Sequence, residues 1–235
     1  MSRTIDYFGY DNPLIRLKTH FSLKAWTKMY EKFKEVCKPQ KDDEILDLGA
    51  TPDTKLEDSN FFEQMYPYKE KITIASIEDC SDVVNQYGLK AYVHNEPHER
   101  LPFPDKQFDI VFSSAVLEHV GTREDQKYFI EECLSVGKKI FLTTPNRYFP
   151  IEMHTFVPFL HWLPWSWFQK IVKPIQGGFW SDINNLNLMG KKDALQLLDV
   201  ISVDTVKTMG LDSIVNDFSN FTKRTNKGMP VSRSA

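Results

Sequence analysis

The chain predicts an α/β fold: a doubly wound, mostly parallel sheet with an antiparallel closing strand. Three observations carry that expectation. Short apolar runs recur at 44–48, 72–77, 89–94, 108–113 and 139–144. Amphipathic, helix-spaced segments stand before, among and after them, and strands alternating with helices make βαβ units. The run Glu44-Ile45-Leu46-Asp47-Leu48 ends in Gly49, the residue type that turns a chain most freely at a strand end.

The elements follow in order. Phe21, Leu23, Trp26, Tyr30, Phe33, Val36 and Cys37 recur every three to four residues, so residues 21–37 predict a helix ending near Pro39. Residues 44–48 are the first strand. Ser59 to Tyr66 predicts a short helix, capped by Asp58 or Ser59 and stopped by Pro67. The next strands are 72–77, 89–94 and 108–113. Arg123 to Val136 is a helix that Gly137 closes, and 139–144 is the fifth strand. Lys191 to Val200 is a helix, and Val203–Thr208 and Phe218–Arg224 are candidates for a closing strand pair. The expected organisation is one domain over 1–235, with a core at 44–145, an aromatic insertion at 146–190 and a closing segment at 191–235.

Composition narrows the function. With 235 residues, 41% hydrophobic and 26% charged, the chain is an ordinary globular one. A net charge of −3 gives no global field for nucleic acid. The three cysteines, Cys37, Cys80 and Cys133, are scattered and odd in number, which fits a reducing compartment rather than a disulfide framework. The N-terminus lacks the apolar core of a signal peptide, and the most apolar window, Phe156 to Val172, is interrupted by Pro158, His161, Pro164 and Gln169. A cytoplasmic protein is expected.

Leu101-Pro102-Phe103-Pro104-Asp105 leads through Phe108-Asp109-Ile110-Val111-Phe112-Ser113 to Leu117-Glu118-His119-Val120. With the Asp47-Leu48-Gly49 strand end, this resembles the class I S-adenosylmethionine (SAM) dependent methyltransferases, in the small-molecule branch whose fourth strand reads LPFPD..FD.V.S...LEHV. The resemblance covers roughly residues 40–145 and implies a Rossmann-like sheet that binds SAM at the carboxyl ends of its strands. It assigns the cofactor to Asp47, Gly49, Ala50 and Thr51, and to Ser113, Ser114 and Ala115 at the end of the fourth strand. The family's two further glycines would stand at Thr51 and Asp53, so the loop is rebuilt or binding is weakened. The ribose-binding acid would stand at Ser76; Glu78 shares that side of an extended segment, and Asp79 is the second choice. Asn95 or Glu96 is the candidate for the adenine edge, with Glu96 preferred.

On the acceptor side the resemblance points to His119 as base or orienting group. Arg147, in Thr143-Thr144-Pro145-Asn146-Arg147, is a clamp for a carboxylate or phosphate, and His154 is a third catalytic candidate. A subgroup, the ubiquinone-pathway O-methyltransferases, places a divalent metal on an E..EH pattern. Its first acid would fall at Ala115, so no metal is expected. The insertion, with Trp162, Trp165, Trp167 and Trp180, reads as a lid over an apolar or amphipathic acceptor in preference to a membrane-surface patch, and leaves room for a homodimer. The expected activity is methylation of a small molecule at oxygen. The alternative is a non-catalytic protein of the same fold that acts through the insertion as a binding or regulatory partner.

Overall fold

The computed structural model describes residues 13–55, 59–150, 157–176, 178–201, 206–209 and 213–216. Seven strands form one sheet: β1 (Ile45–Leu48), β2 (Ile72–Ser76), β3 (Ala91–His94), β4 (Phe108–Ser114), β5 (Gly137–Thr143), β6 (Val206–Met209) and β7 (Ser213–Asn216). Their order is β3-β2-β1-β4-β5-β7-β6. The first five are parallel, whereas β7 pairs antiparallel with both β5 and β6. Strand order reverses between β1 and β4, which opens a crevice at their carboxyl ends.

Six helices flank the sheet among the described residues: α1 (Pro13–Cys37), α2 (Phe61–Met65), α3 (Ser81–Tyr87), α4 (Arg123–Val136), α5 (Trp165–Gln176) and α6 (Lys191–Val200). The alternation of side chains along β1 separates two cores. Leu46 and Leu48 face Val111, Ile130, Leu142 and Leu198. Ile45 faces an aromatic core around Phe33, whose ring meets Phe62, Phe112 and Phe141 edge-on at 5.1, 5.7 and 5.4 Å. Phe62 stacks on Phe112 at 4.0 Å, so short α2 is held by aromatic packing rather than by its own length.

Several local expectations are corrected. Helix α2 is capped by Asn60 in the left-handed region (φ 50°), with no side-chain cap hydrogen bond. The expected cap Asp58 lies outside the described residues, and Ser59 instead donates to Asp53 at 2.6 Å. Gly137 closes α4 as expected, its N–H donating to Cys133 O, but in extended backbone. Its φ is −105°, it begins β5 directly, and a Cβ there would stand 2.6 Å from Val111 Cγ2. Glycine is required by close packing, not by a turn. Between β3 and β4 there is no helix; extended chain through Leu101 and Phe103 makes the crossing, anchored by a hydrogen bond from Leu101 N–H to Glu132. The strand expected at 203–208 occupies 206–209, and its partner is 213–216; residues 218–224 lie outside the described residues.

The three cysteines are buried free thiols. Burial pushes the Cys80 thiol up to about 11, so it stays protonated at neutral pH. No described helix is long and apolar enough to cross a membrane.

Candidate functional site

The carboxyl edge of the sheet has two halves, one on each side of the β1/β4 crevice. The first is built from the ends of β1, β2 and β3. Gly49 leaves β1 with φ 95° and donates its N–H to Ala75 O at 2.8 Å. A Cβ on Gly49 would stand 2.3 Å from Val116 Cγ2, so the side chain after β4 closes against this glycine. The Gly49 backbone is nonetheless solvent-exposed, and a ligand can reach it.

The loop beyond Gly49 is built without the family's further glycines. Asn60 holds it: its Nδ2 donates to Thr51 O at 2.8 Å and Asp53 O at 2.9 Å, and its Oδ1 accepts from Thr51 N–H at 3.2 Å. Ser76 stands where the family's acid is expected, and its hydroxyl donates to Ala50 O at 2.9 Å. Glu78, two residues past β2, is exposed. Asp79 is engaged locally: it accepts from Ser81 N–H at 2.9 Å and Ser81 Oγ at 2.5 Å, and these bonds hold its carboxyl below the usual range. Glu96 lies 2.8 Å from His94 Nε2, and His94 Nδ1 lies 3.1 Å from the Tyr92 hydroxyl.

Asp47 sits under this half rather than on its surface. It is 5% exposed and hydrogen-bonded to Glu63 of α2, itself 1% exposed. Burial first, and the adjoining Glu63 second, hold the Asp47 carboxyl well above the ordinary range. Two carboxyls sharing a hydrogen bond need one proton between them. Glu63 is not legible in this role from the chain order, because five helical residues separated from β1 by a loop have no readable register to it.

The second half is built after β4 and β5. Ser113 donates to Leu48 O at 2.7 Å, tying β4 to β1, and Thr143 Oγ1 donates to Ser114 at 2.9 Å. Ala115 adopts φ 56°, which turns the chain out of β4 into the 3-10 turn Leu117–His119. Glu118 is fully buried; its Oε2 accepts from Thr144 Oγ1 at 3.0 Å, and its backbone carbonyl accepts from Asn187 N–H at 2.7 Å. Gln126 of α4 donates to Leu117 O and Asn187 O, both at 2.9 Å, and Asn187 Nδ2 donates to Gly121 O at 2.7 Å. The strap 185–189 is therefore stitched across the end of β4.

His119 is oriented by that strap. Its Nδ1 lies 2.7 Å from Asn185 O, while Nε2 lies 3.8 Å from Glu118 Oε1. A carbonyl only accepts, so Nδ1 carries the hydrogen and Nε2 is the nitrogen turned towards Glu118. The Trp180 ring lies 6.0 Å away. Arg147 is half-buried; its N–H donates to Met189 O at 3.0 Å and its guanidinium to Leu163 O at 3.4 Å. His154 lies outside the described residues. His161 is buried with Nε2 2.7 Å from Phe149 O. Among the described residues no three of His, Cys, Asp and Glu gather as a metal site.

The structure thus places Gly49, Ala50 and Thr51 after β1 and Ser113, Ser114 and Ala115 at the end of the neighbouring β4, with Glu78 just past β2 and Glu96 just past the edge strand β3. Asp47 and Asp79 are occupied elsewhere. Asn60, Glu63, Val116, Gln126 and Asn187 were not found from the sequence. Only Asn60, a residue type common before helices, left a signal there.

The family profile described as "Methyltransferase domain" matches residues 70–139. No curated protein matches the chain. Among solved structures, a provisionally named methyltransferase from Bacillus halodurans superposes with a TM-score of 0.51 at 16% identity, covering 78% of this chain and 70% of that one. A protein from Pyrococcus horikoshii superposes with a TM-score of 0.51 at 11% identity, covering 90% and 93%. At such identities the likeness is one of fold. The matched segment, which runs from before β2 into β5, likens that part of the chain to a methyltransferase domain.

Proposed function

We propose that the protein methylates a small-molecule acceptor at oxygen, with SAM as the donor. The observation that carries this reading is His119: a half-exposed imidazole beyond the end of β4, with its tautomer set by Asn185 O and the buried Glu118 carboxylate 3.8 Å from Nε2.

The residues present fit the cofactor. The exposed Gly49 backbone suits its amino-acid end, and the Glu78 carboxylate suits a ribose diol. Glu96, just past β3, suits the adenine edge. Bound SAM supplies an electrophilic methyl group. The chain's own work is alignment, exclusion of water and removal of one proton. As an acceptor hydroxyl attacks, its proton passes to His119 Nε2, and Glu118 beside that nitrogen favours the resulting imidazolium. Asn185 O keeps Nδ1 protonated throughout. Arg147, on the same edge, suits an anionic group on the acceptor. The insertion closes over this half, with Trp180 near His119 and Leu163 against Arg147, and its aromatic lining suits an apolar or amphipathic acceptor.

A second reading has its own support. Thr51 N–H and the Thr51 and Asp53 carbonyls are satisfied by Asn60, and Val116 packs against Gly49. A non-catalytic protein of this fold, acting as a binding partner, would look the same. Calorimetric titration with S-adenosylhomocysteine separates the two. Micromolar binding, weakened about tenfold in Glu78→Ala by loss of a charge-assisted hydrogen bond, is expected for the enzyme. Silence up to millimolar ligand would leave the partner reading.

A further inference from the structure

The insertion has an outer face that the methyl-transfer reading does not use. Its inner face is a small core of Leu160, Phe168, Val172, Leu186 and Leu188. Helix α5 contributes Phe168 and Val172 inward. About a quarter turn round the helix from them, Trp167 and Ile171, four residues apart and so on one face, are 63% and 36% exposed. Lys170 and then Lys173 continue the exposed surface round the helix from that stripe. The rest of the insertion adds exposed Phe159, Trp162 and Phe179.

Charge says what such a face fits. The chain carries 32 acidic residues, yet none lies between Met153 and Ser181. Four of its five tryptophans do. A helix with outward tryptophan and aliphatic groups, a lysine shoulder and no carboxylates has the chemistry of an interfacial helix on an anionic bilayer. Tryptophan is also the side chain that best suits the headgroup boundary. A second copy is a poor occupant. A two-fold contact through this stripe would bring Lys170 and Lys173 against the same lysines, with no acid on the segment to pair them.

We propose that the outer face of α5, centred on Trp167 and Ile171 with Lys170 and Lys173 beside them, docks the protein on the surface of an anionic lipid bilayer. The helix lies in the interface without crossing it. This docking stands whether or not SAM is bound.

The test is flotation of the full chain with phosphatidylcholine vesicles, with and without phosphatidylglycerol, together with tryptophan fluorescence. Binding to the anionic vesicles with a blue shift, reduced by salt, is expected. Both substituted pairs are on the surface, so folding should survive, as circular dichroism will check. Lys170→Gln with Lys173→Gln should weaken partitioning by about twenty-five-fold, each lysine contributing a factor of about five at an anionic surface. Trp167→Ala with Ile171→Ser should abolish the blue shift. The proposal is overturned by absence of binding to anionic vesicles, or by binding that persists in both variants. A lipid-indifferent dimer that the Trp167→Ala, Ile171→Ser pair dissolves would overturn it as well.

Discussion

The two halves of the carboxyl edge solve the same problem differently. Beyond β1 the polar backbone of the loop is satisfied by one side chain, Asn60, and the polar groups there serve the loop itself. Beyond β4 and β5, polar side chains from four segments (Glu118, Gln126, Thr144 and Asn187) are fully or almost fully buried and bonded across segments. Buried polar networks are costly unless complete, so the second half is a rigid platform, and His119 is aimed by it. The first half is held by one side chain, without the further glycines of the resembled motif. The difference teaches that one half of a sheet edge can be closed locally and the other by a network that joins distant segments.

The largest way to break this comparison is Gly49→Ala. It adds a Cβ at φ 95° and 2.3 Å from Val116, and should cost about 3 kcal/mol or more, from backbone strain together with overpacking. Urea denaturation checks it, and Val116→Ala in the same chain should recover part of the loss. Full tolerance of Gly49→Ala would mean that Val116 does not pack there.

His119→Ala should leave the fold and S-adenosylhomocysteine binding intact while lowering kcat by roughly a hundredfold to ten-thousandfold, the usual worth of a general base. Loss of stability instead of turnover would make His119 a fastener for the strap. Asn60→Ala removes three hydrogen bonds to the loop, and should cost about 2–3 kcal/mol, read by denaturant midpoint. Unchanged stability would show that the loop closes without its clamp.

The smallest effect is a pH dependence. The folded chain holds a proton on the Asp47–Glu63 pair that the unfolded chain loses near pH ~4. Asp47 therefore contributes a stability that falls as pH rises from the ordinary carboxylate range to its raised folded value, by up to about 1.4 kcal/mol per pH unit, and is level above that. Asp47→Asn should flatten the fall, and an unchanged pH profile would remove the shared proton from the account.

Much of the fold was legible in the sequence because it depends on local pattern. Helix α4 spans Arg123–Val136 and α6 spans Lys191–Val200, as periodicity predicted, and Thr122 with Asp125 closes a capping box at the start of α4. The β4 motif could be read through to His119 because its residues are contiguous. Strand β7 and helix α3 could not. Four and seven residues carry too little periodicity, and what holds them is pairing and packing with distant chain.

The sequence by itself determined the alternation of elements, the buried strands and the chemical types gathered at strand ends, since each follows from side-chain spacing and backbone preference. Only the tertiary structure decided that Gly137 is needed against Val111 and Gly49 against Val116, that Asp47 shares a proton with Glu63, and that Asn185 fixes the tautomer of His119. Each of these joins segments far apart in the chain. Burial and hydrogen-bond satisfaction are properties of the space around a group, and the chain order does not specify that space until the sheet has closed.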